Sequence, residues 1–143
     1  MSRPVPRGRD DYRWFMGIAT RWADNDVYGH VNNTVYYEWF DTAVNRWLVE
    51  AGLLDIESGD PIGLVVETGC SFFAPLSFPS DVEVGISVER LGTSSVTYRI
   101  GVFGAGSSQP SAQGRFTHVY VGREDRRPKP MPNIWRAKLE TLS

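Results

Sequence analysis

The chain is poor in the residues that build many common sites. Its 143 residues include one cysteine, Cys70, and two histidines, His30 and His118. One cysteine excludes an internal disulfide framework and a cysteine-based metal cluster. The apolar neighbours of Cys70 read as the setting of a buried thiol rather than a nucleophile. The two histidines lie far apart and lack metal-ligand spacing, so neither a metal nor a cofactor is expected. No apolar run approaches the roughly 18 residues that cross a bilayer. The first eleven residues, Met1 to Asp11, contain no apolar signal core, and two prolines and a glycine there oppose an amphipathic transit helix. A cytoplasmic protein without a membrane partner is expected. A net charge of −2 gives no basis for general nucleic-acid affinity. No Gly-x-Ser-x-Gly elbow is present, which disfavours serine hydrolysis, and no Gly-rich loop ends in a phosphate-binding lysine.

What is present is apolar patterning. Hydrophobic residues make up 41% of the chain and charged residues 22%, a balance suited to one globular domain with a real core. Residues 1–10 read as a flexible arm and 11–143 as the single domain. Tyr12, Trp14, Met16 and Ile18 alternate through a first strand over 12–22. From Val35 to Ala51 apolar residues recur at spacings of three and four, the stripe of a buried helix. Asn32 or Asn33 can cap its start, and Gly52 suits the position past its end. After Pro61 the period changes to two. Ile62–Pro75 opens with a nearly continuous apolar run, as in a well-covered strand. Asp81–Leu91, Ser94–Phe103 and Ala112–Val121 alternate, with glycine and proline between them. This order predicts an α+β fold, an antiparallel sheet of about five strands wrapped around one long central helix. The free edges of such a sheet favour pairing with a second copy. The tail from Arg123 is rich in proline and basic residues, with one helical turn expected near Ile134, Trp135 and Leu139. A solvated tail fits this composition, and so does a phosphate-holding one.

The loop before the helix concentrates the polar chemistry. Asp24 and Asp26 precede a glycine turn at Gly29, and Asn32 and Asn33 follow at the helix start. A carboxylate beside the free N–H groups of a helix start can act on a carbonyl: the donors draw charge onto oxygen while the acid attacks or activates water. Asp26 also suits a plain turn cap, and Asp24 reads as structural, bonding loop amides. His30 fits loop packing or backbone bonding better than catalysis.

The string Arg21-Trp-Ala-Asp24-x-Asp26-x-x-Gly29-His30-Val31-Asn32-Asn33-x-x-Tyr36 resembles the signature of the hotdog-fold acyl-CoA thioesterases, within the 4-hydroxybenzoyl-CoA thioesterase-like branch. The resemblance implies hydrolysis of an acyl-CoA to the free acid and CoA, with Asp26 as catalytic acid and the backbone N–H near Asn33 as oxyanion donor. It implies a homodimer or homotetramer whose acyl pocket lies between subunits. CoA is then expected along the Gly92-Thr93-Ser94-Ser95 turn, with the basic Arg90 just before it. His30, Asn32, Tyr36 and Glu67 are the remaining candidate substrate contacts. Whether Asp26 is a general base or a nucleophile stays open, as do the acyl group and a reserve role for Glu38. Two alternatives share the fold, a non-catalytic acyl-CoA binding module and an enoyl-CoA hydratase or dehydratase.

Overall fold

The computed structural model describes residues 4–143. Along the chain come β1 (Trp14–Ala19), α1 (Asn33–Glu50), β2 (Ile62–Phe72), β3 (Asp81–Leu91), β4 (Ser95–Gly104), β5 (Ala112–Val121) and α2 (Asn133–Glu140). The five strands form one antiparallel sheet in the order β1-β3-β4-β5-β2. The architecture is the expected one, with α1 laid along one face.

Period-two alternation decides which face meets the helix. Val82, Val84 and Ile86 of β3 and Val96, Tyr98, Ile100 and Val102 of β4 are fully buried there. From α1 come Val35, Tyr36, Trp39, Phe40, Ala43, Val44, Trp47 and Leu48, the stripe read from the sequence. The fit is tightest where Phe40 crosses β5. A Cβ on Gly114 would lie 2.5 Å from the Phe40 ring and 2.3 Å from the carbonyl oxygen of Gly69, so only glycine lets helix and strand approach this closely.

The opposite, convex face is partly covered by the N-terminal segment. Tyr12 lies across Gly101, where a Cβ would meet its ring at 2.5 Å, and stacks edge-on against Phe103. Of the arm expected over 1–10, residues 1–3 lie outside the described residues. Val5 and Arg7 pair through their backbones with the Gln113 side chain, and Arg9 makes a 2.8 Å ion pair with Glu83.

Two expectations need correction. β2 is not covered: it is an edge strand, and Leu64, Val65 and Val66 are 36%, 47% and 59% exposed. A continuous apolar run looks the same in a buried strand and in an edge that a partner would cover. The tail is not wholly solvated either, although residues 124–130 are exposed. It crosses back over the sheet, burying Met131, Leu139 and Leu142. The N–H of Val88 donates to the Leu142 carbonyl at 2.7 Å, and that of Met131 donates to the Thr93 carbonyl at 3.0 Å.

His118 sits within this core, 2% exposed, among Tyr98, Phe116 and Tyr120. Burial lowers its pKa to about 4 from the ordinary 6.5. Between these values the unfolded chain takes up a proton that the folded chain refuses, so stability falls as pH drops from about 6.5 to about 4. The full loss is on the order of 3 kcal/mol. Denaturant melts of the wild type and of His118→Phe across that window check it. The variant is expected to show the shallower slope, and parallel slopes would remove His118 from the account.

Candidate active site

The loop between β1 and α1 is a compact, cross-braced turn. The N–H of Asp26 donates to the His30 carbonyl at 2.9 Å, and that of Gly29 returns to the Asp26 carbonyl at 3.1 Å. Gly29 adopts φ of +82°, a left-handed conformation that favours glycine. Asn25 and Val31 bridge across the neck. The segment before β3 holds the loop from below: Val31 N–H donates to the Leu76 carbonyl, Ser77 Oγ to the Gly29 carbonyl and Phe78 N–H to Asn25 Oδ1.

Asp24 and Asp26 have separate tasks. Asp24 is 1% exposed. Its carboxylate accepts from the Arg21 backbone N–H at 2.7 Å and from the Arg21 guanidinium at 2.9 Å and 2.7 Å, while its carbonyl accepts from Asn32 N–H. That is the structural role expected of it. Asp26 is only half-buried. Its Oδ1 accepts from Tyr28 N–H at 2.9 Å, and its Oδ2 has no hydrogen-bond partner among the described residues. The turn cap and the free carboxylate oxygen coexist in one side chain.

Asn32 is the N-cap of α1, and its Oδ1 accepts from Thr34 N–H at 3.0 Å. Asn33 is the first helical residue, so its N–H has no intrahelical partner. Asn33 also lines a cavity of about 300 Å³ together with Val31, Tyr36, Phe72, Phe73, Ala74 and Pro75. Tyr36 packs edge-on against Phe72 with centroids 5.0 Å apart. Burial pushes its hydroxyl up to about 12, so it stays protonated. The helix start therefore borders an open, aromatic-walled hollow. A free N–H there can stabilise developing oxyanion charge once a bound substrate displaces the water.

The other candidates are dispersed. Asp26 is outside the lining of that cavity in the single chain. His30 is exposed and takes part in the loop through its carbonyl. Glu67 points to the convex face, where it pairs with Arg115, and Glu38 turns toward Arg21 at 3.5 Å. Arg90 is exposed beside an irregularity in the β3–β4 pairing. Thr93, Ser94 and Ser95 do form a turn, closed by the Gly92 N–H donating to the Ser95 carbonyl at 2.8 Å. The tail braces that turn through Arg136, whose guanidinium donates to the Gly92 carbonyl at 2.6 Å. Ala74 and Pro75 were not legible as cavity residues, because only the bend after β2 carries them to the helix start. Burial raises the Cys70 thiol to about 12, which makes it unreactive. Among the described residues no cluster of His, Cys, Asp and Glu could hold a metal ion, and no helix is long and apolar enough to cross a membrane.

Comparison with known proteins gives the family. The thioesterase-like superfamily matches residues 20–139. No curated protein sequence matches the chain. Among solved structures, the PA5185 protein from Pseudomonas aeruginosa is 49% identical with a TM-score of 0.94, covering 97% of each chain. The BH1999 gentisyl-coenzyme A thioesterase is 25% identical with a TM-score of 0.78, over 88% of this chain and 99% of its own. Slr0204, a 1,4-dihydroxy-2-naphthoyl-CoA thioesterase from Synechocystis, shares the fold at 22% identity and a TM-score of 0.80, over 90% and 96%. The chain belongs to the thioesterase-like superfamily and is a hotdog-fold thioesterase.

Proposed function

We propose that the chain hydrolyses the thioester of an acyl-CoA, giving a carboxylic acid and CoA, with Asp26 and the Asn33 N–H as the reacting pair. One observation carries this reading: Asn33, the first residue of α1, lines an aromatic-walled hollow at the end of a braced loop in which Asp26 keeps one carboxylate oxygen free. The thioester carbonyl oxygen accepts from the Asn33 N–H, and negative charge gathers on it as the carbonyl carbon is attacked. Asp26 either takes a proton from the attacking water or itself attacks to form a mixed anhydride that water then cleaves. In both routes the C–S bond breaks and CoA leaves as the thiol. One such donor contributes on the order of 10²–10³ in rate. Asn32 holds the donor in place by capping the helix, and Tyr36 forms the cavity wall. Arg90 and the Thr93–Ser95 turn are the proposed CoA contacts, with His30 and Glu67 retained as substrate contacts supplied across an assembled interface.

The exposed Leu64-Val65-Val66 edge supports a homodimer paired through β2, alone or within a homotetramer, acting as one hotdog domain per subunit over 11–143. The named activities of the structural relatives on aryl-CoA thioesters support CoA as the carrier. A panel of aliphatic and aryl acyl-CoAs, read by free-thiol release, tests the proposal. Turnover on at least one member is expected. Tight binding with no thiol released would favour the binding module, and loss of enoyl absorbance from crotonyl-CoA would favour hydration.

A further inference from the structure

On the convex face, away from α1, the sheet carries a second hollow of about 510 Å³. Its floor is made by β2, β5, β4 and the end of β3, and residues 4–7 form one rim. Gln113 fixes that rim, accepting from the Arg7 N–H at 2.9 Å and donating to the Val5 carbonyl at 3.0 Å. Gly69 keeps the floor low beside Arg115, its register partner.

Charge is what distinguishes this hollow. Arg99 and Arg115 are direct cross-strand partners on the same face, an arrangement that repels and costs stability. Each is flanked on its far side by a glutamate: Glu89 lies 3.5 Å from Arg99, and Glu67 pairs with Arg115. Arg7 brings a third guanidinium to the lining and has no carboxylate partner among the described residues. The arginines therefore exceed the acids by one, in a hollow where Arg99 is only 23% exposed. Beside the hollow, on β3, Ser87 is the register partner of Arg99. It is 2% exposed, and its hydroxyl has no partner. The Tyr12 hydroxyl is likewise buried without a partner and lies within the fields of Arg99 and Arg7. Guanidinium groups suit planar and tetrahedral oxyanions because they donate in a fixed fork. An anion between them would offset the Arg99–Arg115 repulsion that the two glutamates only partly screen.

We propose that the convex-face hollow is a binding site for a compact oxyanion of charge two or more, a phosphate or a polycarboxylate, held by Arg7, Arg99 and Arg115. The site is separate from the helix-start cavity and does not depend on the reaction assigned there; Glu67 is the one residue it shares with the proposed substrate contacts. Calorimetric titration of the full-length protein with inorganic phosphate, and separately with citrate, tests it at matched ionic strength, with chloride as reference. Saturable binding of at least one probe is expected, weakened tenfold or more in Arg99→Gln and in Arg7→Gln. The second variant leaves the fold intact, because Arg7 is tied down through its backbone. The stronger probe tells phosphate from carboxylate preference. Heats that follow ionic strength alone, or affinities unchanged in both variants, would overturn the proposal. So would one-for-one displacement of the probe by CoA, which would return the hollow to the substrate site.

Discussion

Asp26→Asn is expected to lower thioester turnover by about 10²–10⁴-fold while leaving the melting temperature nearly unchanged. The separation follows from the way the side chain is used. The one hydrogen bond that the Asp26 side chain makes to its loop is accepted by Oδ1 from Tyr28 N–H, and the carbonyl oxygen of an asparagine accepts it equally well. The loop is otherwise braced by backbone groups of Gly29, His30 and Val31 and by Ser77 and Asn25, none of which the substitution touches. What disappears is the negative oxygen, and with it both the general base and the nucleophile. Free-thiol release on the best acyl-CoA of the panel, beside a thermal melt, reads both quantities. A variant with wild-type rates would remove Asp26 from the chemistry. An inactive variant that melts far lower would make Asp26 a structural residue.

The largest loss of stability is expected from Phe40→Ala, about 3–5 kcal/mol, or a fall of roughly 10 °C or more in melting temperature. Phe40 is fully buried and fills the crossing of α1 over β5, edge-on to Tyr37 at 5.8 Å. Its ring lies against Gly114, whose own hydrogen is all that fits between helix and strand. Relaxation into the space is limited because the Gly69 carbonyl, on the strand next to Gly114, is backbone and cannot follow the missing ring. Urea or guanidinium unfolding checks the value. A loss below about 1 kcal/mol would mean that the helix does not rest on this contact. The effect on activity is indirect, since α1 carries Asn33 at its start.

How much of this could be read from the sequence depended on distance along the chain. α1 was legible at both ends, because its apolar stripe and the Asn32 cap are local signals, and the helix does begin at Asn33 with Asn32 as its cap. β3, β4 and β5 were legible through clean alternation, since each turns its large apolar residues to α1 and mostly polar or small ones to the other face. The braced loop before α1 was legible for the same reason: Asp24, Asp26, Gly29 and Asn32 make their hydrogen bonds and turn within one short segment. β2 misled because apolar residues along an unpaired edge and apolar residues in a covered strand have the same pattern. The tail misled because its prolines and basic residues dominate the composition, while Met131, Leu139 and Leu142 are too widely spaced to show a period. The convex-face arginines could not be grouped at all. Arg7, Arg99 and Arg115 meet only through strand register and the path of the N-terminal segment. The lining of the helix-start cavity was partly legible: Val31, Asn33 and Tyr36 are neighbours in sequence, whereas Ala74 and Pro75 arrive through the bend after β2.

A crystal structure with a non-hydrolysable amide analogue of the preferred acyl-CoA, its sulfur replaced by NH, addresses the assignment of the reacting groups without any kinetic inference. The analogue's carbonyl oxygen is expected within about 2.7–3.1 Å of the Asn33 nitrogen, with Oδ2 of Asp26 facing the carbonyl carbon directly or through one water. An analogue bound with its carbonyl remote from the start of α1, or with Asp26 turned away into solvent, would contradict the chemistry set out above.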